Sequence, residues 1–149
     1  MESLPEAIRN AILVQRQVPD DLSLYEISEL DFSGLEMTEV HAHGTTFKGC
    51  RFEETDLNGA DLDGVVAKRT SFRGASLVKA SVYQVDLAGS SFEGANLSRC
   101  EFTDCDLSGV DFRGATMMGT DFTRCQLRLA RFDHAELATT TFDECVGRP

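Results

Sequence analysis

Two histidines and two aspartates are the residues whose types and spacing suggest chemistry first. His41 and His43 lie two apart in "VHAHG", and Asp61 and Asp63 follow them at an interval of 20. Imidazole nitrogens and carboxylates are ligands that a divalent metal accepts. The second set is the five cysteines, Cys50, Cys100, Cys105, Cys125 and Cys145. None forms a Cys-x-x-Cys pair, and an odd number of thiols is not the pattern of a disulfide framework. No serine, threonine or cysteine stands in an arrangement that supplies a nucleophile, a base and an orienting group, which argues against an enzyme. Whether the histidines meet the aspartates depends on the backbone that carries them.

That backbone repeats every five residues. From Phe32 to Phe142 an apolar residue, large except at Ala42 and Ala67, recurs at each fifth position without insertion, and all ten phenylalanines fall in this class. Two places before it stands a small residue, as in Thr45, Ala60, Ala95, Val110, Thr120 and all five cysteines. The places between are polar or Gly. Five matches neither the helical period of 3.6 nor the strand period of 2, so each unit buries two side chains and turns. A longer period lies above it, because Phe32, Phe52, Phe72, Phe92, Phe112 and Phe132 recur every 20 residues. Four units therefore make one lap, and identical side chains stack between laps at the inter-strand spacing of about 4.8 Å. In this register the cysteines point inward as compact hydrophobes. His41 and His43 point outward beside Asp61 and Asp63, in an arrangement suited to surface His–Asp pairing, with a metal as the alternative; no metal or other cofactor is expected.

The units Ala60-Asp61-Leu62-Asp63-Gly64 and Ala95-Asn96-Leu97-Ser98-Arg99 resemble the A-(D/N)-L-x-x repeat of the pentapeptide-repeat proteins. The resemblance covers at least Leu30 to Glu144, and it implies an all-β fold, a right-handed quadrilateral parallel β-helix of about six coils. Residues 1–19 are expected to form a capping helix and linker, 20–146 the β-helix and 147–149 a tail. Ser3 and Glu6 read as a capping box, followed by a helix whose face of Ala7, Ile8, Ala11, Ile12 and Gln15 covers the first coil. Asp20 and Tyr25 fit the small inward slot poorly, so the first lap is expected to be irregular. The coil carrying Ala67 lacks a large residue, and filling it with leucine is expected to stabilise the fold if the space is empty.

Composition and charge bound the function. The chain has 149 residues, 25 acids against 14 bases and a net charge of −11, which argues against direct nucleic-acid binding. No apolar run approaches the roughly 18 residues of a membrane span, and the first residues lack the pattern of a secretory signal, so a cytoplasmic location is expected. The charge is segregated. The side centred on Ala42, Leu62, Val82, Phe102, Phe122 and Phe142 carries Asp61, Asp63, Glu101, Asp104, Asp121, Asp143 and Glu144 against Arg124, a net of −6. The next side carries Lys48, Lys68, Arg69 and Arg128 against Asp86 and Asp106, a net of +2.

The family resemblance implies a use for that acidic side. Its resistance-conferring members are understood to imitate duplex DNA and occupy the DNA-binding saddle of gyrase or topoisomerase IV, and those that protect gyrase are typically dimers joined through their C-terminal ends. A non-enzymatic protein–protein interaction is thus expected, with a type II topoisomerase as the specific partner. A homodimer through the C-terminal end follows as a second expectation, although no helix follows "DECVGRP" to form it in the same way. The alternative is an interaction scaffold, an adaptor or effector using an outward apolar column such as Val78, Met118 and Ala138.

Overall fold

A computed structural model describes residues 1–147; Arg148 and Pro149, in the expected tail, lie outside the described residues. The chain winds into a four-sided solenoid in which each residue meets the one 20 positions later in parallel register, from Asp21 opposite His41 to Gln126 opposite Val146. The column Leu22, Ala42, Leu62, Val82, Phe102, Phe122 and Phe142 has one member per tier, so there are about seven tiers. That is one more than the phenylalanine column counts, because the register starts ahead of Phe32.

Three features of the five-residue unit hold each corner. The small inward residue donates its backbone N–H three residues back, as Ala95 does to Phe92 at 3.0 Å. An Asp or Asn before the large residue accepts from the N–H two places on, as Asp61 does from Asp63 (3.1 Å) and Asn96 from Ser98 (3.1 Å). This side-chain turn is a local alternative to regular secondary structure and explains the Asp/Asn of the repeat. The residue after next then takes a positive φ, which suits glycine: Gly49 has φ +62°, and a Cβ there would lie 2.3 Å from the Glu29 carboxylate.

Between tiers the backbone hydrogen-bonds along the solenoid axis, as Phe92 N–H does to the Asp111 carbonyl at 2.7 Å. The small inward slot does more than fill space. Thr45, Thr55, Ser90 and Thr120 donate their hydroxyls to the carbonyls of Leu22, Phe32, Ala67 and Leu97, 23 residues earlier, at 2.6 to 2.9 Å. The cysteines do likewise, Cys105 to Val82 at 3.0 Å and Cys125 to Phe102 at 3.4 Å. Their expected role as plain hydrophobes is therefore incomplete: each thiol is a weak donor to a buried carbonyl.

The core is a stack of rings. Phe32, Phe52, Phe72, Phe92, Phe112 and Phe132 follow one another with centroids 4.8 to 5.6 Å apart and nearly parallel planes. A second stack, Phe102, Phe122 and Phe142, meets the first edge-on, as in Phe112 against Phe122 at 73°. Offset stacking within a column and edge contacts across it are the arrangements that the ring quadrupole favours. Phe132, Leu137 and Phe142, in the last described tier, are half-buried.

At the N-terminus, the lid differs from its sequence reading. A short strand β1 (Glu2–Ser3) pairs in parallel with β2 (Tyr25–Ser28), and the helix α1 (Glu6–Asn10) follows Pro5. No side chain caps α1, so the expected Ser3–Glu6 box is not formed. Ser3 is instead held in register opposite Glu26, and Pro5 starts the helix with no N–H of its own to satisfy. The helix widens to a π turn over Ala11–Gln15 and ends at Arg16 in the left-handed region. Ile12 is fully buried and Ile8 partly so, whereas Ala7 and Gln15 are exposed. The Arg16 guanidinium ties the lid to the Asp31 and Ser33 carbonyls at 3.0 and 2.6 Å. Tyr25 is half-buried and Asp20 exposed, so neither occupies a regular inward slot.

Candidate functional site

The most regular β structure lies on the acidic side. Strands β4 (Ser81–Tyr83), β5 (Glu101–Thr103), β6 (Asp121–Thr123) and β7 (Thr141–Asp143) form a four-stranded parallel sheet, preceded on an adjacent side by β3 (Thr46–Lys48) paired with β2. In each of β4 to β7 the middle residue points into the core and its neighbours point out. The sheet therefore sets the outward carboxylates in fixed rows.

The seven acidic residues do not form one field. Asp61 faces His41, with Nδ1 and Oδ2 3.8 Å apart, at the lid end of the sheet side. Asp63 is occupied structurally, accepting from the Ser81 hydroxyl at 2.8 Å and the Tyr83 N–H at 3.0 Å. Asp104 holds Arg124 in a two-point pair at 2.7 and 2.9 Å, which keeps its carboxyl below the usual carboxylate range. Glu101 and Asp121 stand opposite each other in register, and Asp121 also accepts from the Thr141 hydroxyl. Asp143 and Glu144 complete the group on and just after β7. The concentration of acid is thus displaced toward the last tiers, where Glu101, Asp121, Asp143 and Glu144 gather and the Arg124 guanidinium, already paired with Asp104, also feels Glu144.

Charge elsewhere is arranged differently. On the phenylalanine side, Glu53, Arg73, Glu93, Arg113 and Asp133 alternate in sign from tier to tier. Arg51 pairs with Asp31 at 2.7 Å, Arg73 with Glu93 at 3.4 Å, and Arg113 chelates Asp111 at 2.6 to 3.0 Å while lying 3.8 Å from Glu93. Sequence reasoning passed over this ladder, although counting forward by 20 finds it. On the basic side, Lys48 pairs with Glu26 at 3.0 Å and Lys68 with Asp86 at 2.8 Å.

His41 and His43 do not gather ligands. Among the described residues no group of three His, Cys, Asp or Glu side chains is disposed to hold a metal. His41 sits between Asp21 and Asp61 in the bridge register, which is the surface pairing. Among the described residues the interior holds a narrow apolar cavity of about 10 Å³, lined by residues such as Phe47, Val65 and Leu87, with no polar side chain in its lining. No helix among the described residues is long and apolar enough to cross a membrane.

Comparison with known proteins places this geometry. A family model described as a pentapeptide repeat region matches residues 75–147, and one described as pentapeptide repeats (8 copies) matches residues 50–89. No curated protein matches the chain. Among solved structures, trypsin-treated QnrB1 carrying R167E, titled a plasmid-mediated fluoroquinolone resistance protein, is similar over 86% of this chain and 74% of its own, at 19% identity and a TM-score of 0.60. The pentapeptide repeat protein Rfr23 from the cyanobacterium Cyanothece 51142 is aligned over 95% and 98% of the two chains, at 16% identity and a TM-score of 0.42. With both repeat models together spanning residues 50–147 and the five-residue corner geometry extending ahead of them, the chain belongs to the pentapeptide-repeat family.

Proposed function

We propose that this protein acts without catalysis, as an acidic binding module of the cytoplasm whose partner is a basic DNA-binding surface, specifically that of a type II topoisomerase such as gyrase. The observation that carries the reading is the stack of Glu101 on Asp121, with Asp143 and Glu144 beside it. Two other acid pairs stand in register between tiers, Glu36 with Asp56 and Asp86 with Asp106, the second beside Lys68, whereas the ladder on the phenylalanine side sets opposite signs together. Like charges directly opposite in a sheet destabilise it. A cationic partner would relieve that repulsion, and a rigid β surface presents the carboxylates at fixed spacing, as duplex DNA presents phosphates.

The similarity to a fluoroquinolone resistance protein favours gyrase over other basic partners. Binding would modulate the enzyme or protect it from quinolone-type poisons. Density of charge limits the imitation. Strands about 4.8 Å apart give the Glu101–Asp121 row one carboxylate per step, against about one phosphate per 1.7 Å in duplex DNA. A second copy meeting the half-buried Phe132, Leu137 and Phe142 would lengthen the acidic surface, and light scattering tests that homodimer directly.

Gyrase supercoiling and quinolone-stabilised cleavage, measured with added protein, test the reading. The wild type is expected to alter both, less so as salt rises, because exposed charges are screened beyond roughly 8 Å at physiological ionic strength. Glu101→Lys with Asp121→Lys is expected to abolish the effect with the fold intact, and neutralising Lys48 and Arg128 to leave it unchanged. No effect of the wild type at high micromolar concentration overturns the topoisomerase reading.

A further inference from the structure

One inner corner of the solenoid carries Cys105, Cys125 and Cys145 on successive tiers. Their following residues are in bridge register, Asp106 with Gln126 and Gln126 with Val146. The Gln126 N–H donates to the Cys105 carbonyl at 2.9 Å and the Val146 N–H to the Cys125 carbonyl at 3.0 Å, so the three residues are locked at equal height. Parallel neighbours lie about 4.8 Å apart, inside the Cα separation of about 4.4 to 6.8 Å that a disulfide spans. The Cys125 thiol donates to the Phe102 carbonyl at 3.4 Å and the Cys145 thiol to the Phe122 carbonyl at 3.3 Å, so the two sulfurs take the same inward position on successive tiers. Cys105 and Cys125 are sealed, at 2% and 0% exposure, whereas Cys145 in the last described tier is half-buried.

We propose that Cys145 and Cys125 are an oxidisable dithiol that takes a hydroperoxide, and that their disulfide staples the last tier to the one before it. Cys145 is the thiol a small oxidant reaches. Its sulfur attacks one oxygen of hydrogen peroxide, the O–O bond breaks, and the departing hydroxide leaves as water with the thiol proton. Cys145 is then a sulfenic acid. The Cys125 sulfur attacks the Cys145 sulfur, the S–O bond breaks, and hydroxide leaves as a second water with the Cys125 proton. Two thiols and one peroxide become one disulfide and two waters, with two electrons passing from sulfur to oxygen.

The environment suits these roles. Hydrogen bonding from Cys105, and to a smaller extent from Cys145, holds the Cys125 thiol below its ordinary value in spite of burial, which favours the attacking thiolate. The same contact, together with burial, pushes Cys105 up and leaves it protonated. Burial pushes Cys50 up to about 11 and raises Cys100 as well, so neither competes.

The full-length protein is treated with graded hydrogen peroxide, denatured, alkylated with N-ethylmaleimide and digested with trypsin. Arg124, Arg128 and Arg131 place Cys125 and Cys145 in separate peptides. The expected result is one linked pair, Cys125 to Cys145, reversed by dithiothreitol, with Cys50, Cys100 and Cys105 alkylated. Hydrogen exchange over residues 132–142 is expected to slow at least tenfold on oxidation. Cys145→Thr, which keeps a donor of the kind that Thr140 supplies in a neighbouring slot, is expected to leave Cys125 reduced under the same treatment. Linkage of Cys105 to Cys125 with Cys145 alkylated overturns the proposal. So does a Cys145 bond between two chains, or Cys145 sulfinic acid beside an alkylated Cys125.

Discussion

Glu101 on β5 and Asp121 on β6 stand at the same height on adjacent parallel strands, with Phe102 and Phe122 stacked beneath them 4.9 Å apart. The ring stack fixes the strands, and the strands hold the two carboxylates together. Packing on the inner face thus imposes a repulsion on the outer one, and the two can be separated by mutation.

Asp121→Asn is expected to raise stability by about 0.2 to 1 kcal/mol, the scale of a cross-strand like-charge pair. The amide oxygen still accepts the Thr141 hydroxyl that the carboxylate accepts now. A shift of the urea midpoint to higher denaturant at low salt, shrinking as salt is added, checks this. A lower midpoint would mean that the carboxylate has a stabilising partner.

Much of this fold was legible because the inner positions obey one rule for over a hundred residues. Phe32 through Phe132 could be stacked by counting alone, and so could the pairing of His41 with Asp61. The capping box at Ser3 and Glu6 misled because a local motif cannot register a competing long-range partner, here Tyr25 to Ser28 of β2. The acidic side was legible as a sum of charge and not as a surface. Arg124 was visible as its one base, and counting by 20 sets it over Asp104, but the two-point hold depends on the conformation of the two side chains. The hydroxyl and thiol bonds to carbonyls 23 residues back were equally hidden, because alanine, valine, threonine and cysteine share the slot and differ only in whether they donate.

Those bonds lead to the second prediction. Thr120 is fully buried, and its hydroxyl donates to the Leu97 carbonyl at 2.7 Å. Valine has nearly the same shape and no donor. Thr120→Val is expected to cost about 1 kcal/mol, the net worth of a typical buried hydrogen bond, because the carbonyl still accepts the Cys100 N–H at 2.9 Å. Equilibrium urea denaturation measures it. No loss would show that the slot selects for size alone.

Acid should unfold the solenoid through its paired carboxylates. Hydrogen bonds from the Arg113 side chain, with its N–H and charge adding to them, hold Asp111 below the ordinary range, and bonds from Ser33 and then Arg51 do the same for Asp31. A carboxyl depressed in the folded state stabilises fully above its unfolded value, near 3.9. That contribution is lost as pH falls through the lower folded value. Stability is expected to be flat from neutral pH to about 5 and to fall below about 4. Arg113→Gln should flatten the fall, since it removes the charge that depresses Asp111. Urea midpoints at neutral pH and near pH 3 compare the two proteins, and an equal acid loss in both would locate the sensitivity elsewhere.

The tier of Ala67 supplies the last prediction, and here the structure reverses the direction expected from sequence. Ala67 is fully buried between Phe47 and Leu87 of its own column. The cavity lined by those larger neighbours and by Val65 is only about 10 Å³, roughly the least that holds one water, so little open room adjoins Ala67. Leucine adds three carbon atoms. With the backbone of each tier fixed by hydrogen bonds to both neighbours, such as Ala67 N–H to Asp86 at 2.9 Å and Val66 N–H to Thr45 at 3.0 Å, the tiers cannot part to admit them. Ala67→Leu is therefore expected to destabilise by about 1 to 3 kcal/mol, the usual cost of overpacking a tight core. Ala67→Val, with two added carbons, should lie between the two. A rise in melting temperature for the leucine variant would show that the neighbouring side chains, and not the backbone, set the space at this corner.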